Sequence, residues 1–445
     1  MTDRSIAFVR TEYVEKLPAP KTTIGPVAWM REHLFSSIPN AILTFLGLYI
    51  IYLVVPPVIE FALVNAVWTG EGRDACLGSE GACWAYVGAY FEQFIYGRYP
   101  DAERWRVDLV FSAGALGLVP MLMPTVPFKR ANAIFLLGVY PVAAFVLLTG
   151  GHVDLNGFLL PDALMAPSTL KFWVDYGIVA AVLAGGAAFL TAQAGADIRN
   201  TVRVVLGIFA ILGLAIFFAG FDFGLERVET DVWGGLLVTL VVAITGIVAS
   251  LPLGIVLALG RRSKLPAVRL MSVIFIEAWR GVPLITVLFM SSVMLPLFLP
   301  EGVTFDKLLR ALIGVALFSS AYMAENVRGG LQAIPKGQYE GAQALGLTYW
   351  QMMGLIVLPQ ALKLVIPGIV NTFISLFKDT TLVLIIGLFD LLGQIQSSFT
   401  DPTWATPYTS HTGYLFAAMV FWAFCFSMSR YSIFMERRLD TGHKR

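Results

Sequence analysis

Ten long apolar stretches run through this sequence, and they leave a water-soluble fold almost no room. They cover residues 41–64, 107–123, 131–149, 175–193, 203–219, 233–259, 271–299, 309–327, 364–388 and 415–434. A helix needs roughly 20 consecutive apolar residues to cross a bilayer core. The runs are continuous, whereas the strands of a membrane barrel read as alternating segments of about ten residues. Only 14% of the chain is charged and its mean hydropathy is +0.74. A soluble protein carries roughly 25% charged residues, so a soluble enzyme or a disordered chain is excluded. The expected fold class is an all-α polytopic membrane protein with about ten transmembrane helices in the lipid bilayer.

Lysine and arginine positions set the expected orientation. With Arg203 and Arg310, at the edges of their stretches, counted with the adjoining segments, alternate segments beginning with the N-terminus hold twenty of the 31 basic residues, and the intervening loops hold eight. That bias predicts cytoplasmic N- and C-termini. Residues 1–36 read as a mixed-charge cytoplasmic tail rather than a cleaved signal. Within the tail, Pro26 to Phe35 reads either as a short interfacial helix or as unstructured chain.

Cys76 and Cys83 fall in the 65–106 loop, expected outside. They can pair as a disulfide or stay as two free thiols. Cys425 lies in the last span. The four histidines are far apart and none is near a cysteine in metal-ligand spacing, so no metal site is expected. No G-x-x-x-x-G-K-[ST] occurs, so the chain has no phosphate-cradling loop of its own. No hydrolase or zinc motif appears, and no basic run of the nucleic-acid-binding kind.

One segment between spans is unusually long. In residues 328–363, Pro335-Lys336-Gly337 interrupts the chain, and Tyr339 to Leu345 then reads as a short helix ended by Gly346. Thr348 is placed to cap a second helix running towards Leu358. The product is a helical elbow that presents Glu340 and small residues, including Gly341, Ala342 and Ala344, to a partner's groove. A plain re-entry loop is the simpler alternative.

The elbow resembles the coupling loop of ABC importer permeases, whose pattern is E-x-A-x-x-x-G, nine residues, then I-x-L-P. Glu340, Ala342, Gly346, Ile356, Leu358 and Pro359 match it, and Gly341 stands where the family usually has Ala. Three further segments resemble the polar amino-acid permeases. Trp279-Arg280-Gly281-Val282-Pro283-Leu284 is similar to their R-G-T-P-L. Ala321 to Gly330 is similar to A-Y-x-A-E-x-x-R-G-G, and Lys378-Asp379-Thr380-Thr381-Leu382 to K-D-T-S-L. The five additional N-terminal spans resemble the long permease subunits of the general L-amino-acid transporters (the AapM/BztC type). The resemblance implies a type I ABC permease core over 228–445, with coupling loop 328–363, preceded by a 37–227 transmembrane extension. It implies a subunit of an ATP-driven importer of polar or general L-amino acids in the bacterial inner membrane. It further implies a separate ABC ATPase dimer that carries the ATP and Mg, a second and related permease subunit, and an extracytoplasmic amino-acid-binding protein. This chain itself is expected to be no enzyme and to bind no cofactor. An ion-coupled secondary transporter and a non-transporting scaffold or sensor are the rival readings.

Charges inside spans are costly and mark functional sites by default. Lys378 and Asp379 are adjacent, so they point in different directions on a helix. They predict either a locally opened helix or partners on other helices. The stretch 271–299 is interrupted at Arg280-Gly281-Val282-Pro283, because proline removes a donor and crowds the preceding turn. A helix broken at membrane depth lines a cavity, and its restart near Val282 would aim free N–H groups at an anion; a mere kink is the alternative. The candidate substrate path is therefore Arg280, Gly281, Val282, Pro283, Glu325, Lys378, Asp379 and Thr380. Arg280 or the helix start would take a carboxylate, and Asp379 or Glu325 an ammonium. Glu325–Arg328 and Glu277–Arg280, each three residues apart, are equally suited to structural ion pairs.

Overall fold

The computed structural model describes residues 25–151, 159–161, 164–166, 168–193, 196–298 and 306–439. Those residues are helical, with only isolated β-bridges between loops. In chain order the helices are α1 (Pro26–His33), α2 (Ile38–Val64), α3 (Trp84–Tyr96), α4 (Asp101–Leu122), α5 (Lys129–Thr149), α6 (Thr169–Gln193), α7 (Ala196–Ala219) and α8 (Gly235–Arg261). They continue with α9 (Pro266–Gly281), α10 (Leu284–Phe298), α11 (Lys307–Ala333), α12 (Lys336–Ala344), α13 (349–364), α14 (Ile366–Ile386), α15 (Leu391–Ser398) and α16 (Thr409–Leu439).

Each of the ten apolar stretches maps onto helix. Among the described residues eight helices are long and apolar enough to cross a membrane, and the α9–α10 pair makes a ninth if counted as one span. The span expected at 203–219 falls in α7, where the apolar part, Val205–Ala219, is shorter than those eight.

The described residues separate into two compact units, one within 25–85 with 406–412 and one within 86–405 with 413–439. The boundary at residues 85/86 falls within the 37–227 stretch. In the first unit, a Cys76–Cys83 disulfide closes the loop after α2. The Val67 and Ala82 backbones pair across it at 2.8 Å, and Trp84 stacks on Trp68. The Cys83 N–H donates to the Thr412 hydroxyl at 3.0 Å, and Phe61 lies against Tyr408 and His411.

In the second unit, α4, α5 and the loops beside them share a core with the start of α8. Tyr99, Val107, Val110 and Leu148 are buried with Trp233, Leu237 and Val242. Gly97 and Gly234 make this closure, since a Cβ on Gly97 would sit 2.4 Å from the Gly234 backbone, and Gly97 has φ of 69°. Helices α8 and α11 pack most intimately, with Gly246 facing Val315 and Gly254 facing Met323 and the Ala324 backbone. Small residues let two backbones approach where lipid supplies no hydrophobic drive. A second apolar cluster joins Ala258, Ile276, Val327 and Leu331 to Ala342, Met353, Val357 and Ala361. It seats the elbow on the bundle.

Candidate functional site

The elbow begins where proline ends α11. That helix runs six residues beyond Val327, so Arg328 belongs to it and not to the loop. Ile334 and Pro335 are non-helical, and α12 starts at Lys336, earlier than the Tyr339 expected. Proline disfavours helix in the residue before it and suits the entry to a new one. At the far end Gly346 adopts φ of 72°, and the Leu347 N–H returns to the Ala342 carbonyl at 3.2 Å. That left-handed exit is what a glycine supplies. Thr348 and Gln351 then form a reciprocal capping box. Inside α13 a π-turn spans Met353–Val357, immediately before Pro359, which has no N–H to give.

This elbow is held from below and open above. Ala342 is buried, while Glu340, Gly341, Ala344, Leu345 and Gly346 are exposed. The Tyr339 hydroxyl donates to the Leu331 carbonyl at 3.1 Å, and Arg262 donates to both that carbonyl and the Tyr339 oxygen, also at 3.1 Å. The Arg262 guanidinium also stands over the Tyr339 ring. A cleft of about 410 Å³, lined by Arg262, Leu331, Ile334, Lys336, Tyr339 and Glu340, opens beside the elbow. Arg262 carried no motif in the sequence and served there only as a topology charge. Its spacing from Tyr339 is legible only once the chain is folded.

The interruption at 280–283 is a sharp bend of 103° between α9 and α10. Val282 and Pro283 are extended, as a residue preceding proline prefers. The bend exceeds a kink. The first turn of α10 is closed by the Thr286 and Val287 N–H groups on the Pro283 carbonyl. Leu284, Val287 and Leu288 pack with Leu376, Phe377 and Val383, so the restart lies against the Lys378–Asp379 segment. There α14 changes from α-helix to 3-10 winding at Thr380 and ends through left-handed Gly387. Lys378 is exposed, Asp379 half-buried and Thr380 buried. The two charges end the α-helical part of α14, and the winding that follows is tighter rather than opened, unlike the local opening expected.

Glu325 sits elsewhere, at the hub of an arginine cluster. It accepts from Arg328 at 2.6 Å and from Arg261 at 2.9 Å, and Arg280 stands 3.8 Å away. Glu277 pairs with Arg261 at 2.8 Å rather than with Arg280. The Arg280 guanidinium lies over the Tyr322 ring. Sequence reasoning found Glu325, Arg280 and Arg328 but passed over Arg261, whose position at a span end looked like ordinary topology charge. Among the described residues no group of three His, Cys, Asp or Glu could hold a metal.

The family model for binding-protein-dependent transport system inner membrane components matches residues 250–441. The inner membrane amino-acid ABC transporter permease protein YhdY of Escherichia coli is 45% identical over 425 residues, 96% of either chain. The glutamate/glutamine/aspartate/asparagine transport system permease protein BztC of Rhodobacter capsulatus is 42% identical over the full length of both. The L-cystine transport system permease protein TcyB of Bacillus subtilis is 33% identical over 222 residues, covering 48% of this chain and 91% of that protein. End-to-end identity at this level leaves one assignment: the chain belongs to the amino-acid ABC transporter permeases, as a multi-span, non-catalytic subunit whose ATP hydrolysis is done by a separate ATPase.

Proposed function

We propose that this chain moves acidic and amide L-amino acids into the cytoplasm, driven by an ABC ATPase dimer that grips the α12 elbow. The observation that carries this is the elbow's construction. It is fastened to the bundle through Ala342, Tyr339 and Arg262, yet turns Glu340 and a small-residue surface outward. A rigid, capped helix end transmits force in a way a loose loop does not. In this reading the termini and elbow face the cytoplasm, as the basic-residue bias favours. A second, related permease subunit completes the path, and an extracytoplasmic binding protein delivers the cargo. The substrate class is supported by the cargo in the name of the Rhodobacter capsulatus relative and by the mixed charges of the path, which suit a zwitterion. The α10 restart and Arg280 serve the carboxylate end and Asp379 the ammonium, while Glu325 is withdrawn from that role by its arginines.

The test is Glu340→Lys in the reconstituted transporter. The expected outcome is loss of ATP-driven uptake and of co-purifying ATPase, with the permease still folded. Normal ATP-driven uptake in that variant rejects the docking role.

A further inference from the structure

Glu325 has more cationic neighbours than one carboxylate can satisfy. Three guanidinium groups, Arg261, Arg280 and Arg328, share two carboxylates, Glu277 and Glu325, so the cluster carries one surplus positive charge. The three arginines differ in how they are held. Arg261 and Arg328 make direct hydrogen bonds at 2.8–2.9 Å and 2.6–2.9 Å. Arg280 stays at 3.8 Å, outside hydrogen-bond range, and leans on Tyr322. It is also the residue next to the α9–α10 bend. The cluster ties α8, α9 and α11 together at the end of the bundle that carries the elbow.

We infer that this cluster is an ion-pair latch whose Arg280 arm trades Glu325 for the carboxylate of the cargo. The inference rests on the transport reading above and adds a residue-level device to it. Glu325 is a positioning residue: it holds Arg261 and Arg328 and keeps the loose Arg280 near the bend. A guanidinium offers five donors in a planar fork that fits a carboxylate in two-point fashion. An arriving carboxylate therefore gives Arg280 the hydrogen bonds that Glu325 at 3.8 Å does not. The departure of Arg280 from Glu325 removes the direct α9–α11 ion pair and leaves the two helices joined through the Arg261 bridge. No covalent step is involved.

The experiment uses the complete transporter, with its partners, in membrane vesicles and with L-glutamate as the probe. Thr286→Cys, one turn beyond the bend, reports access to a membrane-impermeant maleimide applied on the elbow face, in a chain carrying Cys425→Ser. With Glu325 intact, labelling is slow and L-glutamate accelerates it several-fold. Glu325→Gln makes labelling fast without L-glutamate, and Glu325→Asp restores slow labelling. Arg280→Gln, which leaves both tight pairs in place, abolishes the acceleration by L-glutamate and raises the uptake KM about tenfold, as loss of a charge-assisted hydrogen bond predicts. Equal labelling of assembled transporters with and without the Glu325→Gln substitution overturns the latch, and so does an unchanged KM in Arg280→Gln. Uptake by the unmodified transporter is measured in the same vesicles. Its absence counts against the transport reading, whereas its presence with unchanged labelling counts against the latch alone.

Discussion

Neutralising Asp390 should stabilise the protein at neutral pH and remove a pH dependence. Asp390 lies between α14 and α15, outside the spans, and is fully buried. One carboxylate oxygen caps α15 by accepting the Gly393 N–H at 2.9 Å, while the other has no hydrogen-bond partner among the described residues. Burial pushes its carboxyl from the usual 3.8 up to about 6, against the lowering effect of the Gly393 and Leu392 N–H groups. Between those values the folded protein keeps a proton that the unfolded chain has lost. The contribution of Asp390 to stability is therefore greatest below about pH 4, falls as pH rises to about 6, and is level above. The gap from 3.8 to about 6, at about 1.4 kcal/mol per pH unit, costs the folded state about 3 kcal/mol at pH 7. Asp390→Asn keeps an oxygen for the cap and carries no charge to desolvate. The assay is the unfolding temperature in detergent at a fixed heating rate from pH 4 to 8, since membrane proteins rarely unfold reversibly. The variant should melt higher than the natural chain at pH 7 and show a flatter profile. A profile parallel to that of the natural chain refutes the reasoning, because the buried carboxylate would then not be the group that titrates.

Two further outcomes are expected. Gly341→Ala should stabilise α12 by roughly 1 kcal/mol, because a Cβ there meets open space; ATP-driven uptake at raised temperature should persist longer, and a destabilised elbow by hydrogen exchange would contradict this. Asp379→Asn should raise the KM for L-glutamate uptake about tenfold while the ATPase still co-purifies, the loss of one charge-assisted contact; unchanged uptake kinetics would remove Asp379 from the path.

Local features were readable because their causes are local. Gly346 ends α12 and Thr348 opens α13 through contacts within a few residues. Pro283 breaks the stretch before α10 because proline acts on its own turn. The span pattern followed from apolar length alone. Even so, α12 began three residues early, and α11 swallowed Arg328, because helix ends respond to packing as well as to propensity.

By itself, the sequence determined the membrane class, the elbow's two helices and the break at Val282–Pro283. Each is dictated by length, charge cost or a residue's own backbone preference. The Glu325–Arg328 pair was offered by its spacing of three, but tertiary structure alone decided which charges meet across helices. Arg261 reaches across 64 residues to Glu325, Arg262 across 77 to Tyr339, and the Gly235 N–H donates to the Phe389 carbonyl beside buried Asp390. Such partners depend on how α8, α9, α11 and α12 cross, and no one-dimensional spacing encodes that. Glu325 thus moved from candidate ammonium ligand to the hub of an arginine cluster, because a carboxylate's role is set by the cations that packing brings within about 4 Å of it.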